Sequence, residues 1–233
     1  MTGCFIAGTD TDAGKTRVAT AMVRALVREG LRVAVMKPVA AGADATPEGL
    51  RNDDAMALIQ ASNVPAPYEL VNPYCARLPA SPHIAVADDG IVVDPALIRA
   101  TGARLAALAE VLIAEGAGGW HAPIGDILTM ADVAAALELP VVLVVGLRLG
   151  CLSHALLTFE AIERRGLRLC GWVANHLQPR FERARENIAA LERRLPAPLL
   201  DVVPFGAAAF ESRAAVDTLR AALHIAPQRP PSR

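Results

Sequence analysis

Residues 8–16 read GTDTDAGKT and stand between an apolar run at residues 4–7 and an amphipathic stretch that begins at Lys15. A strand, a glycine-containing turn and a helix in this order are typical of a phosphate-binding loop. In such a loop, backbone N–H groups at the helix N-terminus face phosphate oxygens, and the helix dipole favours their negative charge. Lys15 is then expected to reach the β- and γ-phosphates, and the Thr16 hydroxyl to bind Mg²⁺. The stretch predicts an α/β fold that binds a nucleoside triphosphate.

One position departs from the general pattern of this loop. G-x4-G-K-[ST] requires a glycine five residues before Gly14, but Thr9 stands there and Gly8 lies one residue earlier. An ordinary strand–turn–helix with a solvated lysine is the alternative interpretation. The strand before the loop and the amphipathic helix after it favour phosphate binding.

The rest of the chain continues the alternation of strand and helix. Alternating βαβ units indicate a three-layer fold with a mostly parallel sheet flanked by helices, of the P-loop nucleoside triphosphate hydrolase kind. We expect one domain over residues 1–226, an ordered excursion at residues 63–82 and a disordered tail at residues 227–233. The predicted strands are residues 4–7, 32–36, 111–115, 141–145, 169–174 and 200–203, and the predicted helices are residues 15–29, 130–138, 153–165, 181–195 and one that opens at Asp94.

Composition and charge exclude several classes of protein. The longest relevant apolar run, residues 139–147, is far shorter than the roughly 20 residues that span a bilayer, so we expect no membrane. A formal net charge of −1, with acidic and basic residues intermixed, offers no surface for nucleic acid. The cysteines are scattered at positions 4, 75, 151 and 170, which predicts free thiols and a cytoplasmic location.

Polar residues follow several predicted strands at the carboxyl edge, where open α/β sheets bind ligands. Lys37 leaves strand 32–36, where it could neutralise a transferring phosphoryl group, or be a surface lysine before a turn. Glu115 ends strand 111–115 before a glycine-rich turn, like the metal-holding second motif of nucleotide hydrolases. An acid at the end of a buried strand needs a partner, which favours a metal-binding role for Glu115.

Two further signals are weaker. In RNDDA at residues 51–55, Asn52 could cap a helix. Either Asp53 or Asp54 could approach a metal, or both could be acids at a helix N-terminus. Asn175 follows a strand and could pair with the edge of a purine base, or lie in an ordinary turn.

These motifs, together with TPEGLRNDDA, VNPY, SPH, EGAGGW, LPVVLVVGLRLGCLSH and GWVAN, resemble the dethiobiotin synthetases in their order from about residue 3 to 205. The resemblance implies an ATP-dependent ligase that converts 7,8-diaminononanoate, CO₂ and ATP into dethiobiotin, ADP and phosphate. An amine of the substrate becomes a carbamate, whose oxygen attacks the γ-phosphate. The second amine then closes the ureido ring on the mixed anhydride.

The resemblance also implies roles for individual residues. Thr16, Asp54 and Glu115 would hold Mg²⁺, and Lys15, Lys37 and Thr11 would act on the carbamate and the γ-phosphate. The carboxylate tail of the substrate would bind Gly150, Cys151, Leu152 and Ser153, in the family across a homodimer interface. The expected nucleotide contacts are Asp12, Ala13, Gly14, Lys15, Thr16, Asp54, Glu115, Gly116, Ala117, Gly118, Asn175, His176, Pro204 and Phe205.

Two positions depart from the family pattern. Ala41 stands where relatives commonly carry a small hydroxyl residue, and Gly206 stands where a larger apolar residue usually follows Pro204 and Phe205. Neither position belongs to the expected reaction centre.

Three other classes of protein fit the sequence less well. Partitioning and cell-division ATPases, which act as switches, carry a second lysine early in the loop, where this chain has Asp10. An amidating ligase of the cobyrinate diamide type adds a glutaminase domain, which we do not expect in 233 residues. A regulatory domain without catalysis is disfavoured by the presence of Lys15, Thr16, Lys37 and Glu115.

Overall fold

The structure is a computed structural model that describes residues 2–226. Its strands are β1 (Gly3–Gly8), β2 (Val33–Met36), β3 (Val39–Ala41), β4 (Ala43–Thr46), β5 (Gly49–Asn52), β6 (Tyr74–Ala76), β7 (Val111–Glu115), β8 (Val141–Leu147), β9 (Leu169–His176) and β10 (Leu199–Val203). Its helices are α1 (Lys15–Arg28), α2 (Asp53–Ala61), α3 (Tyr68–Val71), α4 (Pro82–Asp88), α5 (Pro95–Ala107), α6 (Met130–Leu137), α7 (Cys151–Arg164), α8 (Ala184–Glu192) and α9 (Arg213–Ala222).

A six-stranded parallel sheet, in the order β10-β9-β8-β1-β7-β2, forms the middle layer. Every residue of β1, β2, β7 and β8 is buried, as expected for strands covered on both faces. One apolar core joins this sheet to α1, α2 and α9, and the other joins it to α5, α6 and α7. The predicted three-layer fold is therefore confirmed.

Helix α1 shows why the sequence folds this way around the loop. Val18, Met22 and Leu26 recur on one side of the helix and are fully buried against the sheet. Gly14 precedes the helix with a φ of 91°, and Gly30 follows it with a φ of 76°, both in the left-handed region that glycine adopts readily. The phosphate loop is thus fixed between a buried strand and a buried helix.

The helix prediction for residues 181–195 was too long, because Arg183 has a left-handed backbone and α8 begins only at Ala184. The excursion predicted at residues 63–82 contains α3 and β6, and α4 begins at its end. Strand β6 pairs with β3, and β4 pairs with β5, in two small sheets that the sequence did not predict. Strands of three or four residues are too short to show a periodic apolar pattern.

Strand β1 divides the carboxyl edge of the sheet into two sides. On one side, β7 ends at Glu115 and β2 is followed by Lys37. On the other side, beyond β8, β9 carries Asn175 near its end and β10 is followed by Pro204. Parallel strands all end at the same edge, so the predicted site residues lie along one edge on either side of the phosphate loop.

Among residues 2–226, no helix has both the length and the apolar character needed to cross a membrane. All four cysteines carry free thiols. The proposal of one domain over residues 1–226 stays a prediction, and the tail predicted at residues 227–233 lies outside the described residues.

Candidate active site

The phosphate loop is a tight turn that packs against β9. Asp12 has a φ of 58° and Gly14 a φ of 91°; left-handed residues of this kind are typical of loops that line a concave anion site. A Cβ atom on Gly14 would lie 2.1 Å from the Asn175 Nδ2 atom, so the loop has no room for a side chain there. Ala13, between them, is buried. The glycine at position 14 is therefore required both by backbone conformation and by packing.

Five polar side chains meet at the end of β7, and we name Lys15, Thr16, Lys37, Asp54 and Glu115 the charged cluster. The Lys37 Nζ atom lies 2.7 Å from Glu115 Oε1 and 2.8 Å from Asp54 Oδ2. The Thr16 hydroxyl donates to the same Glu115 oxygen at 2.7 Å. Because Lys37 and Glu115 are buried, their charges persist only through such partners.

The electrostatics keep Lys37 and Asp54 ionised. Burial alone would lower the pKa of Lys37, but the neighbouring Glu115 and Asp54 outweigh burial and raise it above the ordinary value. Burial would raise the pKa of Asp54, but the charge and hydrogen bond of Lys37 lower it overall. Lys37 is therefore a permanent cation over the physiological range.

Lys15 differs from Lys37. Its Nζ atom donates to the backbone carbonyl of Asp10 at 3.0 Å. Burial and, secondly, the nearby charge of Lys37 lower the pKa of Lys15 from 10.5 to about 8. An anion bound near both lysines would relieve their repulsion, so the site is electrostatically suited to phosphate. These are also the chain's two lysines; every other basic side chain apart from histidine is arginine.

A cavity of about 710 Å³ opens beside the charged cluster. Its lining combines the charged cluster, Thr11, Asp12, Gly14, Arg17 and Asn52 with a set of small, mostly apolar residues that we name the apolar wall. Ala41 belongs to the apolar wall, and Ser81 adds a hydroxyl to it. The size is ordinary for a small-molecule site, and the arrangement suits a ligand with a charged end and an alkyl chain. The apolar wall comprises Ala40, Ala41, Pro79, Ala80, Pro82, Ala117, Gly118, Ala122 and Pro123, together with Ser81.

The charged cluster also fits a magnesium ion. The Glu115 Oε2 atom is buried and has no hydrogen-bond partner, although its companion oxygen has two. Thr16, Asp54 and Glu115 offer oxygen atoms, which are the ligands that Mg²⁺ prefers. No group of three or more His, Cys, Asp or Glu within residues 2–226 forms a complete protein metal site. Mg²⁺ usually binds one or two carboxylates together with substrate phosphates and water, and the charged cluster supplies two carboxylates.

The predicted residues on the other side of β1 have a different setting. Asn175 is buried and donates from Nδ2 to the Ala13 carbonyl at 2.8 Å, while its Oδ1 atom is buried without a partner. His176 ends β9 and is partly exposed. Pro204 and Phe205 lie in an exposed turn after β10, residues 204–207, which we name the β10 turn. The Phe205 side chain is 54% exposed.

The turn predicted to bind a carboxylate forms a helix start as expected. Gly150 has a φ of 94° and α7 begins at Cys151. None of residues 150–153 lines the 710 Å³ cavity of the same chain. Arg148, just before this turn, forms an ion pair with Asp10 of the phosphate loop.

The chain resembles known proteins over most of its length. A family model described as an AAA domain matches residues 2–209. The ATP-dependent dethiobiotin synthetase BioD of Aromatoleum aromaticum is 53% identical over 205 residues, which are 88% of this chain and 91% of the relative. The chain belongs to the ATP-dependent dethiobiotin synthetase family. Other members include BioD of Vibrio vulnificus, 49% identical over 88% of this chain and 90% of the relative. BioD of Janthinobacterium sp. (strain Marseille) is 48% identical, over 91% of this chain and 92% of the relative.

Membership in the dethiobiotin synthetase family confirms the resemblance that the motifs indicated. Solved structures show a wider likeness of fold. MinD of Aquifex aeolicus, in its complex with MinC, aligns over 100% of this chain and 99% of its own at a TM-score of 0.61 and 14% identity. A ParA family ATPase of Chlorobium tepidum aligns over 96% of this chain and 91% of its own at a TM-score of 0.53 and 14% identity. These proteins share the fold, and at such identities the likeness carries nothing further.

Neither the sequence pattern nor the family resemblance predicted the contacts of two arginines. Arg17 donates to two carbonyls of the β10 turn, and Arg148 pairs with Asp10. The partners are far apart along the chain, and an arginine outside a motif gives no local signal. The residue pattern left Asp53 and Asp54 open and the family resemblance chose Asp54. The structure brings Asp54 to Lys37, while Asp53 is exposed at the start of α2. Asn52 caps α2 as expected, because its side chain accepts from the Ala55 N–H.

Proposed function

We propose that this chain closes the ureido ring of dethiobiotin, from 7,8-diaminononanoate, CO₂ and ATP, and releases ADP and phosphate. Membership in the family makes it an ATP-dependent ligase of biotin biosynthesis. The observation that carries the proposal is one cavity that joins the charged cluster to an apolar wall. A triphosphate and an aliphatic diamine need these two surfaces side by side.

The first step transfers the γ-phosphoryl group to a carbamate. One substrate amine adds to CO₂ and loses a proton, which gives the carbamate. A carbamate oxygen then forms a bond to the γ-phosphorus as the bond to the ADP oxygen breaks. Both reactants are anions, and at 4 Å two unit charges repel by about 4 kcal/mol when the effective dielectric constant is about 20. Lys15 and Lys37 would reduce this repulsion, and Thr11 lines the same cavity and would help to place the reactants.

Thr16, Asp54 and Glu115 are the residues that would hold Mg²⁺. When bound there, the ion would neutralise charge on the β- and γ-phosphate oxygens. The protein's own contribution is to hold these ligands in place: the Thr16 hydroxyl and the Lys37 ammonium both donate to Glu115. The second carboxylate, Asp54, is partly exposed and faces the cavity.

The second step is ring closure. The remaining amine attacks the carbonyl carbon of the carbamic-phosphoric anhydride, the C–O bond to phosphate breaks, and the amine loses its proton. The alkyl chain of the substrate is expected to lie along the apolar wall that contains Ala41, Pro79 and Ala122. The two nitrogens sit on adjacent carbons of the diamine, so the second amine is already near the anhydride, and an apolar wall would exclude water that hydrolyses it.

We also propose a homodimer in which the turn at residues 150–153 binds the carboxylate of a substrate held mainly by the partner subunit. Backbone N–H groups at the start of α7 would receive the carboxylate. The turn lies outside its own chain's cavity, which supports a contribution to a neighbouring one. Leu149 and Leu157 are 93% and 61% exposed beside it, as expected for an apolar surface that a second subunit covers. Sedimentation that shows only monomers would contradict the dimer.

The free thiols and the use of ATP support a cytoplasmic location.

The direct test of the reaction supplies 7,8-diaminononanoate, bicarbonate, ATP and Mg²⁺ and measures phosphate release. We expect release to depend on the diamine and on bicarbonate. Matched reactions replace the diamine with 7-aminononanoate, which forms a carbamate but has no second amine to close the ring. Phosphate release that ignores the diamine altogether would reject the proposed function.

A further inference from the structure

Arg17, in the first turn of α1, joins the phosphate loop to the β10 turn. Its Nη2 atom donates to the Pro204 carbonyl at 3.0 Å and also to the Ala207 carbonyl. The turn closes on itself through a bond from the Ala207 N–H to the same Pro204 carbonyl at 3.1 Å. One amino group of the guanidinium therefore binds both ends of the turn, and the position of the turn relative to α1 depends on it.

The β10 turn has features of a surface that a ligand covers. Phe205 presents an aromatic ring that is 54% exposed. Gly206 has a φ of 78°, and a Cβ atom there would have no atom within 4 Å. The turn is thus open to solvent around its tip, while its base is bound by Arg17. An exposed ring on a positioned turn is suited to stack on a planar group.

The direction of a bound nucleotide follows from the order of the strands. The charged cluster lies on the β7 and β2 side of β1, and the β10 turn lies on the opposite side. A triphosphate whose terminal phosphate reaches Lys37 therefore directs its base toward β9 and β10. On that path, Asn175 has a buried oxygen with no partner, which can accept from an amino group of a base.

We infer that Arg17 is a positioning residue that holds the β10 turn against the base of the nucleotide, and so sets affinity for the base rather than for the phosphates. The inference rests on the proposed function, which makes ATP the ligand of the phosphate loop. Arg17 lines the 710 Å³ cavity together with Lys15 and Lys37, but both of its hydrogen bonds named above go to backbone carbonyls of the β10 turn. The residue acts through the turn and not on the reacting atoms.

The test compares ATP with inorganic tripolyphosphate, which has the phosphates but no base, by calorimetry on the full chain. Arg17→Met keeps the aliphatic stem and removes the donor, and Arg17→Lys restores a charged donor. Arg28→Met is the matched control, because Arg28 lies on the same helix and donates to the Phe210 carbonyl at 3.4 Å, away from the β10 turn. Arg17→Gln replaces Arg17→Met if the methionine variant does not fold.

We expect Arg17→Met to weaken ATP binding about tenfold, as for the loss of a charged hydrogen bond, with at most about a twofold change for tripolyphosphate. Arg17→Lys should recover part of the ATP affinity, and Arg28→Met should change neither ligand. In turnover, the KM for ATP should rise while kcat stays near the parent value. An equal loss for both ligands, or no loss for either, would overturn the inference. The binding measurements do not need the diamine. A protein that binds ATP but shows no diamine-dependent turnover would therefore reject the proposed function, while the comparison of ATP with tripolyphosphate would still test the role of Arg17.

Discussion

The two sides of β1 hold their functional residues by different physical means. On the β7 and β2 side, Lys37 and Glu115 are buried charges that depend on each other. On the β9 and β10 side, Phe205 is exposed and its turn is positioned by hydrogen bonds from Arg17 to backbone carbonyls. If the first side is the reaction centre and the second binds the base, as we propose, changes to the first should alter stability and turnover and changes to the second should alter mainly affinity for the nucleotide. Mutations on the two sides should therefore separate in what they change.

The largest effect is expected at Lys37. Lys37→Ala should lower turnover by about 10³-fold, because it removes a cation from the site where the anionic carbamate approaches the anionic γ-phosphate. ATP binding, measured by calorimetry, should remain nearly intact because the phosphate loop and Lys15 are still present. Lost nucleotide affinity with unchanged turnover would contradict the role given to Lys37.

The same variant tests whether the reaction centre is coupled to stability. Lys37→Ala leaves the buried Glu115 without its cation and should lower the free energy of unfolding by about 3 kcal/mol. Adding Glu115→Gln should restore roughly 1–2 kcal/mol of this loss, since an unpaired buried charge is replaced by a neutral amide. Urea denaturation measures both values. A double variant less stable than Lys37→Ala alone would show that the pair is not the stabilising unit, and neither variant should regain turnover.

The two lysines of the charged cluster should titrate differently. Labelling with ¹³C-lysine gives two side-chain signals, since the chain contains Lys15 and Lys37 as its lysines. Lys15 should titrate near pH 8, and Lys37 should keep its proton beyond its ordinary pKa of 10.5. Burial depresses the Lys15 value below that of the unfolded chain, so its protonation destabilises the fold below pH 8, and this cost disappears as the pH rises toward 10.5.

Lys15→Met assigns the two signals. Addition of ADP should raise the pKa of Lys15, because a phosphate nearby favours the charged form. Two signals that titrate together near 10.5 would contradict the difference between the lysines.

The smallest effect is expected on the other side of β1. Gly206→Ala places a Cβ in open space but on a backbone with a φ of 78°, which costs about 1 kcal/mol. If the β10 turn moves to relieve this strain, the KM for ATP should rise a few-fold with kcat unchanged, since a few-fold change in affinity corresponds to about 1 kcal/mol or less. Gly166→Ala, also at positive φ in open space, is the matched control and should affect stability alone. A fall in kcat for Gly206→Ala would contradict the predicted division between the two sides of β1.

The same division explains what the sequence could predict. Glu115 stood out because an acid at the end of a buried strand needs a partner, whereas Lys37 was a candidate because it leaves a strand at the carboxyl edge, and a surface lysine was its alternative. The phosphate loop and the parallel sheet were predictable because their signals are local: a glycine motif and apolar strands. The pattern of residues alone did not separate Asp53 from Asp54, because both are acids in the first turn of α2, and the choice of Asp54 came from the family resemblance.

The contacts of Arg17 could not be predicted for a different reason. Its carbonyl partners are 187 and 190 residues away along the chain. Every residue has a backbone carbonyl, so the sequence does not mark which one an arginine will bind. The short strands β3 to β6, which carry Ala41 and Asn52 to the cavity, likewise depend on pairing between segments without periodic patterns. Non-local contacts of this kind become visible only in the folded chain.

The most direct measurement of the central claim follows an oxygen atom from CO₂ into phosphate. If the carbamate attacks the γ-phosphorus beside Lys15 and Lys37, the bridging oxygen leaves with phosphate when the ring closes. A rapid reaction with ¹⁸O-labelled CO₂, the diamine and ATP should give phosphate that carries one labelled oxygen, detected by mass spectrometry. Phosphate released in step with the diamine but free of label would contradict the account, because water and not the carbamate would then have received the phosphoryl group.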